Sequence, residues 1–327
     1  MGMPPPSGGG ITLLQVLGVL EAKGPKGPAT RDVDTLHTFI EALRRAAVDR
    51  ARFVGDPDVQ TVPTADLTSK AWVDKTLASI DPKRATRSVT LFPPELKKPD
   101  APLDGGLKPQ NTTHISVIDK DGNAAALTTT VNYAFGSCLV AKGTGVLLND
   151  EMDDFAAQPA APNAFGLVGE ANNAVAPGKR PASSMTPLIA VGTDGTLLCA
   201  GGSGGPTIVT GVVQTVVNIL DFKMDVEAAV AAPRIHAQYV PENVLVEPEV
   251  PADVRAGLER RGHKLVVPSG SLGTSVQVVL RRPGAAAKAA PLGNSELEAD
   301  PAAPPSKLQP TFSAASDPRK GGQPAVP

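Results

Sequence analysis

The segment Ile208 to Leu220, IVTGVVQTVVNIL, is nearly all apolar and long enough to be a helix. A helix that is apolar on every side has no face to offer water, so it must be buried, and a sheet is the partner expected to cover it. A strand candidate, Leu197 to Ala200, stands just before it, and Gly201-Gly202-Ser203-Gly204-Gly205 joins the two. Strand, glycine turn and buried helix in that order already require a mixed fold with a packed interior.

The rest of the chain supplies both kinds of element. Leu13, Leu14, Leu17 and Leu20 recur at helical spacing between Ile11 and Glu21, and Leu36, Phe39, Ile40, Leu43 and Ala47 do so from Asp34 until Gly55 and Pro57 stop the run. A shorter helix is predicted around Ala71 to Ile80, and another from Ala252 to Arg261, ended by Gly262. HISVID and AALTTTV are β-favouring runs joined by Lys120-Asp121-Gly122-Asn123, which predicts a hairpin in a sheet that begins at Thr112. Ser275 to Leu280 reads as a further strand. Residues 1 to 10 read as a loop, 81 to 111 as an exposed, cleavable linker, 133 to 185 as loop-rich, and about 283–310 as a disordered Ala/Pro-rich insertion.

Charge and composition exclude several functions. With 31 Lys+Arg against 33 Asp+Glu, the chain has no basic surplus for a nucleic acid. Two cysteines cannot form a disulfide framework, and four histidines without a close Cys/His cluster leave little for a metal site. No uninterrupted apolar window reaches membrane-spanning length, and MGMPPPSGGG lacks the features of a signal peptide, so nothing here is expected to export or anchor the chain.

Two constellations could carry chemistry. Gly201 to Gly205 matches the G-x-S-x-G nucleophile elbow, with Asp225 and either His236 or His263 following Ser203 in the order a triad needs. The same turn could instead present backbone N–H groups to an anion, which is the stronger reading. The second constellation is Asn111-Thr112-Thr113-His114, where linker meets strand. A threonine hydroxyl is a poor nucleophile without a base, but a cut before Thr112 would let its own α-amino group take the proton. Read from its residues alone, this junction is an ordinary β-branched strand start preceded by a loop, and that reading outweighs the catalytic one.

The stretches MPPPSGGG, DTLHTFIEALRRAAVDRARFVGDPD, NTTHISVIDKDGNAAALTTTVNYAFGS, GVLLNDEMDDF, PNAFGLVGEANNAVAPGKRPASSMTP, GGSGGPTIVTGVVQTVVN, APRIHAQ and ASDPRK occur in that order. Together they resemble the γ-glutamyltransferase (γ-glutamyl transpeptidase) family of N-terminal-nucleophile hydrolases. The resemblance implies an α/β (α+β) fold, the αββα sandwich of that superfamily, incomplete at the N-terminus. It implies a precursor that cuts itself between Asn111 and Thr112. Residues 1–111 would be the C-terminal portion of a large subunit, and 112–327 the small, catalytic subunit.

Carried over position by position, Thr112 is the nucleophile, Thr130 orients it, and Gly204 and Gly205 supply the N–H donors for the oxyanion. Asn132, Glu151 and Asp154 would hold the substrate α-ammonium, and Ser183 and Ser184 the α-carboxylate. Phe165 stands where relatives often carry a lid tyrosine. The implied reaction is γ-glutamyl transfer or hydrolysis, from glutathione or related compounds to amino acids, peptides or water. It needs no cofactor or metal, and the two self-cleaved pieces are each other's partners. Relatives are expected to be periplasmic or secreted. The family's large subunit is longer than 111 residues, so an arginine for the substrate carboxylate is expected upstream of this chain. A related acylase acting on another amide, or a non-catalytic remnant, are the alternatives.

Overall fold

A computed structural model describes residues 1–24, 32–91, 110–158, 169–284 and 310–320, together with 163, 167, 322, 324 and 325. Helices α1 (Gly9–Lys23) and α2 (Val33–Phe53) come first. Asp32 caps α2 by accepting the Thr35 N–H at 2.7 Å, satisfying one of the donors a helix start leaves open. Leu36, Phe39, Ile40 and Leu43 of α2 share a core with Leu13, Val16 and Val19 of α1. The run ends at Gly55, where a Cβ would lie 2.3 Å from the Asn172 carbonyl oxygen, so the two backbones can pass only because the residue is glycine. Three short helices follow: α3 (Thr64–Leu67), α4 (Lys70–Ala78) and α5 (Ser88–Leu91).

The predicted hairpin is β1 (Gln110–Ile118) paired antiparallel with β2 (Ala124–Tyr133), starting two residues before the expected Thr112. Asp119 closes its turn by accepting the N–H groups of Asp121 and Asn123. The remaining elements are β3 (Leu188–Val191), β4 (Leu197–Ser203), α6 (Thr207–Leu220), α7 (Val226–Ala231), β5 (Ile235–Ala237), β6 (Asn243–Val246), α8 (Ala252–Arg260), β7 (Lys264–Val266), β8 (Ser275–Arg282) and β9 (Thr311–Ser316). Strands β3-β4-β8-β9 form an antiparallel sheet, and β5-β6-β7 a smaller mixed one.

Helix α6 is buried from Thr207 to Ile219, as its apolar sequence requires, and shares one core with α1, α2 and β4. Burying each of its valines contributes about 1.5–3 kcal/mol. The hairpin lies against β4 and β8: His114 stands over Gly201, where a Cβ would come within 2.3 Å of the ring, and Ser116 donates to the Gln277 carbonyl at 3.3 Å. The layers are therefore helices, a four-stranded sheet and the hairpin. Ile115, Val117 and Leu127 on the hairpin's outer face are about half exposed, and no second helix layer covers them among the described residues.

The strands that sequence reading missed are short or buried on both faces. β5 is buried at every position, which erases the alternation that marks a strand, and β3, β6 and β7 run only three or four residues. Residues 92–109 of the expected linker, most of the expected insertion, and Phe165 lie outside the described residues.

All four histidines are buried: His37, His114, His236 and His263. Burial holds His114, His236 and His263 down at about 4, and lowers His37 as well. Once unfolded, each would take up a proton near 6.5. Stability is therefore full above pH 6.5 and is lost as the pH falls toward 4, by about 1.4 kcal/mol per histidine per pH unit. Asp154, raised to about 8, runs the other way, as do Glu151, Asp49 and Asp221, which burial also raises, and the four histidines are expected to outweigh them. Calorimetric melts should show a transition several degrees lower at pH 5.5 than at 7.5, and equal midpoints would contradict the neutral-histidine assignment.

Candidate active site

The hairpin register sets Thr112 directly opposite Thr130, and the Thr112 hydroxyl donates to Thr130 Oγ1 at 3.0 Å. The register slips between Gln110, paired with Tyr133, and Thr112, paired with Thr130, so Asn111 faces both Val131 and Asn132 across a bulge. A bulge interrupts the ladder and bends the strand, and here it sits at the Asn111–Thr112 peptide. Asn132 takes up the extra residue in the left-handed region, at φ 74°, which asparagine tolerates better than most side chains. That turn aims the Asn132 N–H at Thr130 Oγ1, 2.8 Å away. The Thr130 oxygen thus accepts from both Thr112 and Asn132.

Strand β4 runs beneath β1, and Thr112 and Ser203 line the same cavity, of about 510 Å³. The turn after Ser203 is built by Gly204 and Gly205, at φ 139° and 58°, values that favour glycine over any residue with a Cβ. Their carbonyls accept the Thr207 and Ile208 N–H groups as α6 begins.

The triad reading of this turn does not survive. Ser203 is buried and its hydroxyl accepts from Lys320 at 3.1 Å. Asp225 caps α7 through the Glu227 and Ala228 N–H groups, His236 bonds Thr210 at 3.1 Å, and His263 bonds His37 at 2.8 Å. The three residue types occur in a suitable order along the chain, but the fold uses each of them elsewhere.

Glu151 and Asp154 lie on one turn of 3-10 helix, held beside the hairpin because Asn132 Nδ2 donates to the Asp150 carbonyl at 3.3 Å. Burial, then the hydrogen bond and charge of Glu151, push Asp154 up to about 8, and burial raises Glu151 too. The two carboxyls act on each other's ionisation, and Glu151 Oε1 is buried without a hydrogen-bond partner. A bound cation would favour the ionised form of such a pair.

Sequence reading missed what positions the serines. Asp56 accepts from the backbone and guanidinium of Arg180, and the Asn173 side chain accepts the Ala182 N–H at 2.8 Å. Pro6 accepts from Ser183 N, Gly8 N donates to the Ser183 carbonyl at 2.9 Å, and the Ser7 hydroxyl donates to the Met185 carbonyl at 2.6 Å. The Pro-Gly start thus clamps the Ser183-Ser184 segment. Ser184 Oγ lies 3.4 Å from the Arg50 guanidinium of α2.

His37, Glu41 and His263 bring ligating atoms within 4.8 Å of one another, although His263 is 226 positions from His37 in the sequence. Sequence spacing could not show this group. Its atoms are already engaged: the rings bond each other, His37 Nε2 donates to the Asp81 carbonyl, and Glu41 accepts from Arg45 and the Thr86 N–H. Arg44 stands 3.8 Å from Glu41 as well. Two guanidiniums around the only carboxylate make this a buried polar junction, poorly suited to a metal cation.

Comparison with known proteins places this geometry. The glutathione hydrolase proenzyme of Escherichia coli (strain K12) is 43% identical over 265 residues, 81% of this chain and 44% of that protein. A mutant of Helicobacter pylori gamma-glutamyltranspeptidase superposes with a TM-score of 0.54 at 36% identity, over 64% of this chain and 100% of that one. The cephalosporin acylase of Bacillus halodurans shares the fold at 24% identity and a TM-score of 0.69, over 98% of this chain and 50% of that one. The chain spans about half the length of the curated relatives it matches. The family model for gamma-glutamyltranspeptidase matches residues 1–326, from the Pro-Gly clamp through the Thr112 hairpin to the C-terminal segment, and the chain belongs to that family.

Proposed function

We propose that Thr112 is an acyl-transfer nucleophile, released by a cut after Asn111, that accepts a γ-glutamyl group and passes it to water or to an amino acid or peptide. The observation that carries this reading is the Thr112–Thr130 hydroxyl pair at 3.0 Å beside the bulge at Asn111. In the uncut chain, Thr112 Oγ1 attacks the Asn111 carbonyl, the acyl group shifts from nitrogen to oxygen, and water hydrolyses the resulting ester. The new α-amino group then has a pKa near 8, suited to taking the hydroxyl proton during attack on a substrate amide. Gly204 and Gly205 would donate N–H groups to the oxyanion.

Glu151, Asp154 and Asn132 suit the substrate α-ammonium, and Ser183 and Ser184 its α-carboxylate. Glutathione and related γ-glutamyl compounds are the donors this arrangement would select. The two pieces would stay associated after the cut, because the main core draws on both: Leu13, Phe39 and Leu43 from one side, Leu198, Val212 and Val276 from the other.

Labelling with a γ-glutamyl-like electrophile, followed by peptide mapping, tests the assignment. The label is expected on Thr112 at the start of the 112–327 piece. A label on Ser203 would replace this reading with a serine hydrolase, and a label on neither, in the presence of a completed cut, would leave a self-processing remnant without transfer activity.

A further inference from the structure

His37 and His263 are a buried titratable pair that the Thr112 chemistry does not use. His37 stands on α2, in the 1–111 portion, and His263 follows α8, in the 112–327 portion, so their 2.8 Å contact bridges the seam between the two. The seam is closely packed there: a Cβ on Gly257 would lie 2.4 Å from Val33 Cγ2, the Ala85 N–H reaches the Arg261 carbonyl at 2.7 Å, and Arg261 donates to the Val33 carbonyl at 3.2 Å. The hydrogen bonds fix both tautomers. The Asp81 carbonyl can only accept, so His37 carries its proton on Nε2, 2.8 Å away, and its Nδ1 is left as an acceptor. His263 Nε2 must then donate to it, which leaves His263 Nδ1 bare, buried and without a hydrogen-bond partner.

A further proton finds no acceptor. On His263 it sits at the orphaned Nδ1; on His37 it sets two donors face to face, unless His263 moves its own proton to that same orphaned position. The surrounding charges oppose it too. Arg44 of α2, Arg261 after α8 and Lys23 at the end of α1 act against a positive charge on one ring or the other, and Glu41, which favours one, is already paired with Arg45 at 2.6 Å and faced by Arg44 at 3.8 Å. Of the other acids around the seam, Asp34 pairs with Arg261, Glu242 with Lys264 and Arg44, and the Asp81 carboxylate accepts the Lys83 N–H.

We propose that His37 and His263 form an acid-released latch, which closes the α2–α8 seam while both rings are neutral and opens it locally, ahead of the α6 core, when either takes a proton. In a cut chain the open seam would also loosen the hold of 1–111 on 112–327. This goes beyond the γ-glutamyl reading and does not rest on it, since the seam does not involve the Asn111–Thr112 peptide.

The test is hydrogen–deuterium exchange of the full chain, read by mass spectrometry at pH 7.5 and 5.5 with the intrinsic rates corrected for pH. It compares the wild type with a double variant, His37→Gln and His263→Gln, in which two amides can keep an N–H···O bond without a titrating ring. Each ring that is neutral when closed and free to protonate near 6.5 when open weakens closure by about 10-fold per pH unit below that value. In the wild type, protection of residues 33–45 and 252–263 should therefore fall by about 10- to 100-fold at pH 5.5 and stay below that of Thr207–Leu220. The double variant should hold the same seam protection at both pH values. A wild-type seam insensitive to pH, a fall that persists in the double variant, or a seam that exchanges no faster than α6 at pH 5.5 overturns the proposal. Should the double variant fail to fold, NMR of ring-labelled wild type decides: both rings neutral in the Nε2–H form while seam protection falls supports the latch, and either ring titrating near 6.5 with the seam still protected overturns it. A chain that stays uncut in these samples would count against self-processing and leave this readout unaffected.

Discussion

A Thr112→Ala chain should remain a single uncut polypeptide on a denaturing gel, while the wild type should separate into 1–111 and 112–327. The alanine removes the attacking oxygen and the donor to Thr130, and no other hydroxyl takes its place opposite Thr130 in the register. Losing a covalent nucleophile commonly costs about four to six orders of magnitude in rate, so turnover of a chromogenic γ-glutamyl anilide should fall to background. Thr112→Ser retains the oxygen and should still be cut, more slowly, because the lost methyl frees the side chain to rotate away from Thr130. A wild-type chain that stays intact on prolonged incubation, indistinguishable from Thr112→Ala, would end the self-processing assignment.

The largest expected effect on stability is at Asp317. Its carboxylate pairs with Arg234 at 2.6 Å, both side chains being almost wholly buried, and accepts N–H groups from Val276 and Arg319. Arg234 also donates to the Thr274 carbonyl, and Arg319 pairs with Glu247 at 2.6 Å, which in turn accepts from Leu272 and Arg234. Removing one partner of a buried pair leaves the other charge uncompensated, so Asp317→Ala should cost about 3–5 kcal/mol in a urea or thermal melt. Replacing Asp317 and Arg234 together by apolar residues should cost less than the single change, because no lone charge is left behind. A loss below about 1 kcal/mol for Asp317→Ala would mean that Glu247 already compensates Arg234. The effect should reach the glycine turn, since a Cβ on Gly204 would lie 2.8 Å from Thr274 Cα.

Local pattern carries the parts of this protein that depend on neighbours in the chain. The periodicity of Leu36, Phe39, Ile40 and Leu43 produces α2, the unbroken apolar run produces a buried α6, and Asp-Gly produces the hairpin. Thr112 and Thr130 are eighteen positions apart but only one turn apart in topology, so their pairing follows once the hairpin is recognised. The glycines of the GGSGG turn were legible as a group, and their separate reasons were not. Gly201 is small because His114 lies over it, whereas Gly204 and Gly205 have positive φ.

Sequence by itself determined the main helices, the hairpin and the family resemblance, and singled out Asn111–Thr112 as the candidate junction, because those rest on local propensity and contiguous motifs. Tertiary structure alone decided which distant residues meet. It separated Ser203, Asp225, His236 and His263, which share a suitable order but no site. It joined Pro6, Ser7 and Gly8 to Ser183 and Met185, Asp56 to Arg180, and Arg50 to Ser184. Chain order places no constraint on such meetings: a side chain in a packed core finds its partner through the crossing of whole elements, and that crossing is set by burial summed over many residues, not by any pattern that one segment carries.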